Sequence, residues 1–344
     1  MRRSRLNHNA VCLMLLVLGG LPALFPESVS PAEASGLCPV GGYPTSPLVI
    51  PMPAGLLQRQ GQDEPLQLTA NLIVVPVSVT DADGHPVAGL KAEDFILWED
   101  DRRQAIFTLG APGERPLELA LLFDVSGSLR DRFLFLQRAA RAFLEAVLKP
   151  SDAVTVFSIG RTPTIVRPRT TNPQEAAPGI MSLEPTREPT AFFDAIMAGA
   201  EHLARTAFPG TRRVLIVISD GEDNFSLSAG LPEALLTLRK TDCILYAINP
   251  GGPGSQSNPL AARGQLSLEM LAKETGGAAF LTDTPESLEG VFRRVSDELR
   301  SQYLLGYYST NPRRDGAFRS IRVEVPGRSG LRLRARGGYY VGKE

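Results

Sequence analysis

Between residues 114 and 301, short apolar runs alternate with longer amphipathic stretches. The apolar runs span residues 117–123, 153–159, 213–219 and 243–248. Each has the length of a buried strand, and the stretch after the first run carries apolar residues at helical spacing, namely Phe133, Leu136, Ala140, Phe143 and Val147. Because strands that alternate with helices form right-handed crossovers, the pattern predicts an α/β domain with a doubly wound, mostly parallel sheet covered by helices on both faces.

Three shorter patterns complete this domain. The segment TIVRPR at 164–169 predicts a short edge strand, since Pro168 cannot donate a hydrogen bond within a central ladder. The segment GAAFLT predicts the last strand, and the apolar spacing of Leu288, Val291, Val295 and Leu299 predicts a closing helix.

The regions on either side, residues 66–113 and 302–344, have strand-like alternation of apolar and polar positions. In the second region, NPRRDG and PGRSG separate the apolar segments and have the length and chemistry of hairpin turns. Each region is too short to form a closed sheet structure alone. We therefore predict one small β-sandwich built from both flanks, with the α/β domain (114–301) inserted between them.

The N-terminus has the order of parts found in a secretory signal peptide. Basic residues at positions 2, 3 and 5 precede the apolar stretch 10–18, and AEA at 32–34 offers a cleavage site between small residues. We predict a signal peptide at 1–34, followed by a flexible Pro- and Gly-rich linker at 35–65. The mature chain is then expected to have no membrane span and to be exported, to the periplasm or the extracellular space.

Composition excludes some function classes. Of the 344 residues, 43% are hydrophobic, which is enough for a large core, and the formal net charge of −1 gives no electrostatic basis for binding nucleic acid. Cys38 and Cys243, the cysteines expected in the mature chain, lack metal-ligand spacing. A disulfide between them remains open, although its absence is favoured because Cys243 lies in a buried apolar run.

Hard oxygen atoms follow the predicted strands. Asp124 ends the first strand and is followed by Ser126 and Ser128, Asp220 ends the run VLIVISD, and Thr190 comes just before a predicted helix. Ligands of open α/β sheets bind outside the carboxyl ends of the strands, where loops from different strands converge. Carboxylate and hydroxyl oxygens suit a hard cation, Mg²⁺ or Ca²⁺. The alternative is that these residues are only turn and helix-cap residues, which Asp, Ser and Thr commonly are.

The motif D-x-S-x-S formed by Asp124, Ser126 and Ser128 resembles that of the von Willebrand factor type A domain, and Thr190 and Asp220 fall where that family has its remaining metal ligands. The resemblance covers about residues 115–300, and the flanks resemble those of a secreted bacterial group usually labelled VWFA-related. It implies a dinucleotide-type fold that binds protein ligands through a metal-ion-dependent adhesion site. A carboxylate of the ligand often completes the coordination. The implied ion is Mg²⁺, or Ca²⁺ or Mn²⁺, and the implied partner is a protein or extracellular-matrix component.

Other acidic residues near these segments have less direct interpretations. Glu222 and Asp223 could tune the site, but capping of the following helix is favoured. Asp194 is expected to support the fold. The segment DADG at 81–84 resembles the start of a calcium loop but lacks the later glycine and the closing glutamate, so it predicts a turn.

An enzymatic function receives little support from the sequence. A serine hydrolase needs a base, most often histidine, and neither His85 nor His202 lies at a strand end in the α/β region. A metal-dependent secreted hydrolase, with Glu222 or Asp223 as base, and a scaffold with a purely stabilising metal site remain as alternatives. We predict an exported, divalent-cation-dependent binding module that is not an enzyme.

Overall fold

The structure, a computed structural model, describes most of the chain after residue 71. The described ranges are residues 72–111, 113–228, 230–252 and 258–342. The predicted signal peptide (1–34), the predicted linker (35–65) and Cys38 lie outside them. Within the described ranges, no helix has the length and apolar character needed to cross a membrane.

The described residues form fourteen strands and six α-helices. The strands are β1 (Leu72–Thr80), β2 (Ile96–Glu99), β3 (Arg102–Gln104), β4 (Ile106–Gly110), β5 (Leu117–Asp124), β6 (Ala153–Ile159), β7 (Thr164–Thr170), β8 (Arg212–Ile218), β9 (Cys243–Asn249), β10 (Ala279–Leu281), β11 (Tyr303–Tyr308), β12 (Phe318–Glu324), β13 (Arg332–Ala335) and β14 (Gly338–Tyr340). The helices are α1 (Phe133–Val147), α2 (Pro173–Met181), α3 (Phe192–Thr206), α4 (Leu231–Lys240), α5 (Pro259–Thr275) and α6 (Pro285–Ser301).

Six of the strands form the central sheet, in the order β10-β9-β8-β5-β6-β7. All its neighbouring strands are parallel except β7, which pairs antiparallel with β6 at the edge and contains Pro168, as predicted. Every residue of β5 is buried. An apolar strand in the middle of such a sheet needs cover on both faces.

Helices supply that cover. Buried residues of α1, α2 and α6 pack on one face of the sheet, and those of α3, α4 and α5 pack on the other. This is the doubly wound α/β arrangement that the alternation of strands and helices predicts, and the fold class is confirmed.

The remaining eight strands form two antiparallel sheets, in the orders β13-β1-β11-β4 and β14-β12-β2-β3. Each sheet combines strands from before and after the α/β region. Apolar residues of both sheets share one core, including Val77, Leu97 and Leu305. The buried carboxylate of Glu99 on β2 accepts a hydrogen bond from the Tyr307 hydroxyl on β11 at 2.6 Å, which ties the two sheets together.

The two turn segments of the last region separate strands, as predicted, but they do not form hairpins. NPRRDG connects β11 to β12 and PGRSG connects β12 to β13, and in each case the two strands lie in different sheets. A turn segment reverses the chain direction, but the choice of partner strand depends on long-range packing. A tight hairpin forms instead between β2 and β3, whose two-residue turn, Asp100–Asp101, has positive φ at both positions (45° and 59°), as a type I′ turn requires.

Candidate metal centre

Asp124 and Asp220 lie at the carboxyl ends of two neighbouring strands. Asp124 is the last residue of β5, and Asp220 follows the end of β8 by two residues. These strands are parallel and in register, with Phe123 opposite Ile218. Both carboxylates are therefore at the same edge of the sheet, and both residues are buried, with 0% and 5% of their surface exposed.

The loop after β5 adds two hydroxyl groups to these carboxylates. The backbone N–H of Ser126 donates to Asp124 Oδ1 at 2.8 Å. The hydroxyls of Ser126 and Ser128 are 2.9 Å apart, and the Ser128 hydroxyl donates to Asp220 Oδ2 at 2.6 Å. The short 3₁₀ helix that begins at Gly127 points both serines towards the same place. Four of the five predicted ligands thus form one continuous hydrogen-bonded cluster.

Thr190 reaches this edge from a third segment. It is 3% exposed, its backbone N–H donates to Asn224 Oδ1 at 2.7 Å, and its carbonyl accepts from the Asn224 N–H at 3.1 Å. Asn224 lies in the loop that carries Asp220. The N-cap position of α3 belongs to Ala191, so Thr190 is not the helix cap. Its hydroxyl makes no hydrogen bond to the other four residues, so no bond within the cluster occupies this oxygen.

Ser219 is a member of the site that the sequence did not reveal. Its hydroxyl donates to Asp124 Oδ2 at 2.5 Å and accepts from the Gly221 N–H at 3.0 Å. Ser219 is fully buried. With Ser126 N–H on one carboxylate oxygen and Ser219 on the other, the Asp124 carboxylate is fixed in orientation.

Asp223 caps a helix, but a different one from the helix predicted. Its Oδ1 accepts from the N–H of Phe192 at 2.8 Å, in the first turn of α3. The following helix, α4, has Gly230 at its N-cap. Ala191 has no side-chain acceptor for the free N–H groups of α3, and Asp223 supplies one from the adjacent loop.

The other two acidic residues lie at the border of the cluster. The Glu222 N–H donates to Asp220 Oδ1 at 3.2 Å, and burial, followed by the charge of Asp220, raises the pKa of the Glu222 carboxyl. Asp194 holds the backbone of the same loop, because its carboxylate accepts from the N–H groups of Leu227 and Ser228 at 3.0 and 3.3 Å.

The electrostatics of the cluster favour a cation. Burial, and then the charge of Asp220, raises the pKa of Asp124 to about 7, although hydrogen bonds from Ser219 and Ser126 oppose the shift. Within the described ranges, neither Asp124 nor Asp220 forms an ion pair with a lysine, arginine or histidine. Two adjacent buried carboxylates without a positive partner are costly, and a bound divalent cation removes that cost.

The position of Asp220 depends on a close approach between two glycines. Gly221 has a φ of +76°, and a Cβ on it would lie 2.6 Å from the carbonyl oxygen of Gly264 in α5. A Cβ on Gly264 would lie 2.6 Å from the carbonyl oxygen of Asp220. Only residues without side chains allow the Asp220 loop and α5 to come this close.

We expect Gly264→Ala to displace the Asp220 loop. The added methyl group meets backbone atoms, which cannot rotate away, so the substitution should cost about 1–3 kcal/mol of unfolding free energy and lower the affinity of the cluster for a divalent cation severalfold. Urea unfolding and a Mg²⁺ titration measure the two effects. Gly290→Ala in α6 is the matched control, because a Cβ at that position would have no atom within 4 Å and alanine should stabilise that helix by about 0.5–1 kcal/mol. If the two variants had the same unfolding free energy and the same affinity for the cation, the role assigned to the close approach of the two glycines would be contradicted.

A second group of metal-ligating atoms lies in the turn after β1, at the predicted DADG turn. Single ligand atoms of Asp81, Asp83 and His85 all lie within 4.8 Å of one another. Asp81 Oδ1 already accepts from the N–H groups of Asp83 and His85, at 3.0 and 2.8 Å, as in a turn. The guanidinium of Arg294 lies against Gly84, and its positive charge opposes a cation there.

Comparison with known proteins agrees with the arrangement of the α/β region. Residues 119–222 match the family model of the von Willebrand factor type A domain. No curated protein is significantly similar to this chain in sequence.

Several solved structures are similar to the chain. A von Willebrand factor type A protein from Catenulispora acidiphila is 12% identical, with 80% of this chain and 74% of that chain covered and a TM-score of 0.46. The conserved hypothetical protein BatB from Bacteroides thetaiotaomicron is 17% identical, with 53% and 98% covered and a TM-score of 0.43. Proximal thread matrix protein 1 from the mussel byssus, in a structure with a zinc-occupied MIDAS motif, is 16% identical, with 59% and 50% covered and a TM-score of 0.45. On the family match and the topology of its central sheet, the chain contains a von Willebrand factor type A domain.

Proposed function

We propose that this domain binds a partner through a divalent cation held by Asp124, Ser126, Ser128, Thr190 and Asp220. The observation that carries the proposal is the pair of buried carboxylates at the ends of β5 and β8, joined through the Ser126 N–H and the hydroxyls of Ser126 and Ser128 and without a basic partner in the described part of the chain. A helix cap or a turn would not need two buried acids at one sheet edge.

The donor set identifies the class of cation. All five side chains offer oxygen, and the cluster contains no cysteine or histidine. Hard cations prefer such donors, so Mg²⁺ is the proposed ion, with Ca²⁺ and Mn²⁺ as the other members of the class. Carboxylate and hydroxyl groups bind such an ion only when the carboxylates are ionised.

The same donor set indicates the chemistry of the partner. Mg²⁺ takes six oxygen ligands, and the chain offers five side chains, so a carboxylate of the partner can complete the coordination. We propose that this partner is a protein or a matrix component outside the cytoplasm, because the first 34 residues have the pattern of a signal peptide.

A hydrolytic function is less well supported. His85 lies against Asp81, and His202 lies against Thr155 in the middle of β6, so neither histidine contacts the oxygen cluster. Glu222 is the remaining candidate for a general base. Five pockets in the described ranges are lined by other residues and not by Glu222.

Partner capture that depends on the metal tests the proposal. The immobilised wild-type protein in Mg²⁺ should retain a partner from the secreted fraction of its native organism and release it in EDTA. Asp220→Ala and Thr190→Ala should lose the capture. Asp131→Ala, an exposed acid in the same 3₁₀ helix as Ser128, is the matched control and should retain it.

Binding of the cation itself provides a second measurement. A ligand that binds only the native state stabilises it, by about 2.7 kcal/mol at a concentration one hundred times its Kd. The melting temperature should therefore rise with Mg²⁺ in the wild type and in Asp131→Ala, but not in Asp220→Ala. Capture that survives both EDTA and Asp220→Ala would show that the partner does not bind through the metal.

A further inference from the structure

A small pocket lies at the opposite edge of the central sheet from the metal centre. It is formed where the amino ends of β8 and β9 meet β1 and the segment between β13 and β14. Five arginines line it, namely Arg115, Arg212, Arg213, Arg239 and Arg336. Its two acidic residues, Asp242 and Glu274, leave a formal excess of three positive charges.

Both acids already have arginine partners. Glu274 forms an ion pair with Arg239 at 2.5 Å, and Asp242 forms one with Arg336. In the described ranges, Arg115, Arg212 and Arg213 have no carboxylate partner within ion-pair distance. The positive charge of the pocket is therefore not balanced by these residues of the chain.

Arg212 is the most buried of these arginines, with 6% of its surface exposed. Its two terminal nitrogens donate to Gln302 Oε1 and to the carbonyl oxygen of Leu299, both at 2.8 Å. Both acceptors are neutral, and Asp152, an acidic group whose charge acts on this guanidinium, is ion-paired with Arg300; burial lowers the pKa of Arg212 to about 10. A buried charge in this state is costly unless an anion accompanies it.

Unused hydrogen-bond donors are concentrated at the same pocket. The described ranges contain eight buried side-chain nitrogens without a hydrogen-bond partner. Four of them are the Nε–H groups of Arg212, Arg213, Arg239 and Arg336. Buried donors are satisfied in most folded proteins, so the four arginines have fewer hydrogen bonds to the protein than their guanidinium groups can make.

The size of the pocket limits the acceptor. Its volume is about 50 Å³, several times the 10–15 Å³ or so that one water needs. Only a ligand of a few atoms fits. Phosphate and sulfate have five heavy atoms and accept hydrogen bonds from several guanidinium groups at once; near neutral pH sulfate carries two negative charges and phosphate between one and two.

We propose that the pocket at the amino ends of β8 and β9 binds one small tetrahedral oxyanion, of the size and charge of inorganic phosphate or sulfate. The anion neutralises Arg212 and Arg213 and accepts hydrogen bonds from the guanidinium groups that line the pocket. It links the α/β region to β1 and to Arg336, whose side chain also donates to the carbonyl oxygen of Val74 at 2.9 Å. This site is independent of the metal centre.

Calorimetric titration of the full chain tests this proposal, in EDTA and at constant ionic strength, with inorganic phosphate, sulfate and chloride. We expect saturable binding of one phosphate or sulfate per chain and none of chloride. Arg213→Gln should raise the Kd at least about tenfold, because it removes a charged hydrogen-bond donor. Arg205→Gln, an exposed arginine of α3 paired with Glu201, is the matched control and should leave the Kd unchanged.

Arg115→Gln is the second test variant and should weaken binding even if Arg213→Gln does not fold. Thermal melts add a discriminating measurement, since sulfate and phosphate stabilise many proteins merely by exclusion from the surface. A melting shift of equal size in the wild type and both variants, or the absence of saturable binding at millimolar anion, would overturn the proposal.

Discussion

Without metal, the protein should lose stability as the pH rises from about 4 to about 7, and Asp124→Asn should remove most of that loss. Burial and the neighbouring charge of Asp220 raise the pKa of the Asp124 carboxyl from 3.8 to about 7 in the folded state. The folded protein keeps this proton over a range in which the unfolded chain has lost it. The stabilisation is therefore complete below pH 4 or so and disappears as the pH rises through the pKa that Asp124 has in the folded state.

The expected size follows from the difference between the folded and unfolded pKa of Asp124. That difference corresponds to about 4 kcal/mol, an order-of-magnitude value that is large against the 5–15 kcal/mol or so typical of a whole domain. Asparagine at position 124 stays neutral at every pH and can keep a hydrogen bond to the Ser126 N–H. At pH 8, metal-free Asp124→Asn should thus be more stable than the metal-free wild type.

Urea unfolding in EDTA over a series of pH values measures this effect. Other groups also titrate, so the informative quantity is the difference in unfolding free energy between wild type and Asp124→Asn at each pH. That difference should change by about 4 kcal/mol between pH 4 and pH 8. Asp131→Asn, an exposed acid, is the control and should give a curve parallel to the wild type. A parallel curve for Asp124→Asn would contradict the assigned burial and charge repulsion.

Saturating Mg²⁺ should reverse the pH dependence of the stability of the wild type. The cation needs ionised carboxylates, so it binds more tightly as Asp124 loses its proton and offsets the loss of stability. The wild type would then gain stability from pH 5 to pH 8, while Asp124→Asn would respond little to the ion. The same pair of proteins therefore reports both the repulsion in the metal-free cluster and its relief by a cation.

The sheet edge that holds the cluster could be predicted because its strands have a clear apolar sequence pattern. β5 and β8 are mostly apolar; Asp124 is the last residue of β5, Asp220 follows the end of β8 by two residues, and parallel strands place their carboxyl ends together. What the sequence could not supply is that these two strands are direct neighbours. That depends on the crossover connections, which leave β6 on one side of β5 and β8 on the other.

Ser219 and Asp223 show two ways in which local sequence is insufficient. Ser219 lies in a run that otherwise reads as an apolar strand end, and its contact with Asp124 joins residues 95 positions apart. Asp223 lies close in sequence to α4 but close in space to the start of α3. A helix terminus takes the nearest acceptor in the folded protein, whichever segment provides it.

Contacts between distant segments also decide how the flanking strands pair. Their alternation predicted strands correctly, but β12 pairs with β2, where Ile321 lies opposite Glu99, rather than with its neighbours in the chain. Arg319 on β12 forms a buried ion pair with Glu99 at 3.1 Å. Such buried polar pairs need one specific register, and neither turn chemistry nor apolar periodicity reveals them. The predicted division into a sandwich and an inserted domain remains a prediction.

Another buried polar group connects the central sheet with one of the two antiparallel sheets. Glu298 in α6 is 1% exposed and accepts from the hydroxyl of Ser78 on β1 at 2.8 Å and from that of Tyr246 on β9 at 2.7 Å. It also forms an ion pair with Arg334 on β13. Gln302 donates to both hydroxyls at 3.1 Å. One carboxylate therefore satisfies donors from the central sheet and from an antiparallel sheet.

Glu298→Ala should be among the most destabilising single substitutions in the chain, at about 3–5 kcal/mol of unfolding free energy. It leaves the partly buried Arg334 guanidinium without its counter-ion and deprives the hydroxyls of Ser78 and Tyr246 of their acceptor, and these two buried hydroxyls keep their full desolvation cost. Glu298→Gln keeps an acceptor but not the charge, so it should cost less. Urea unfolding measures both, with Glu289→Ala, an exposed residue of the same helix, as the control near zero. If Glu298→Ala proved as mild as the control, the network would not be what holds α6, β1 and β13 together.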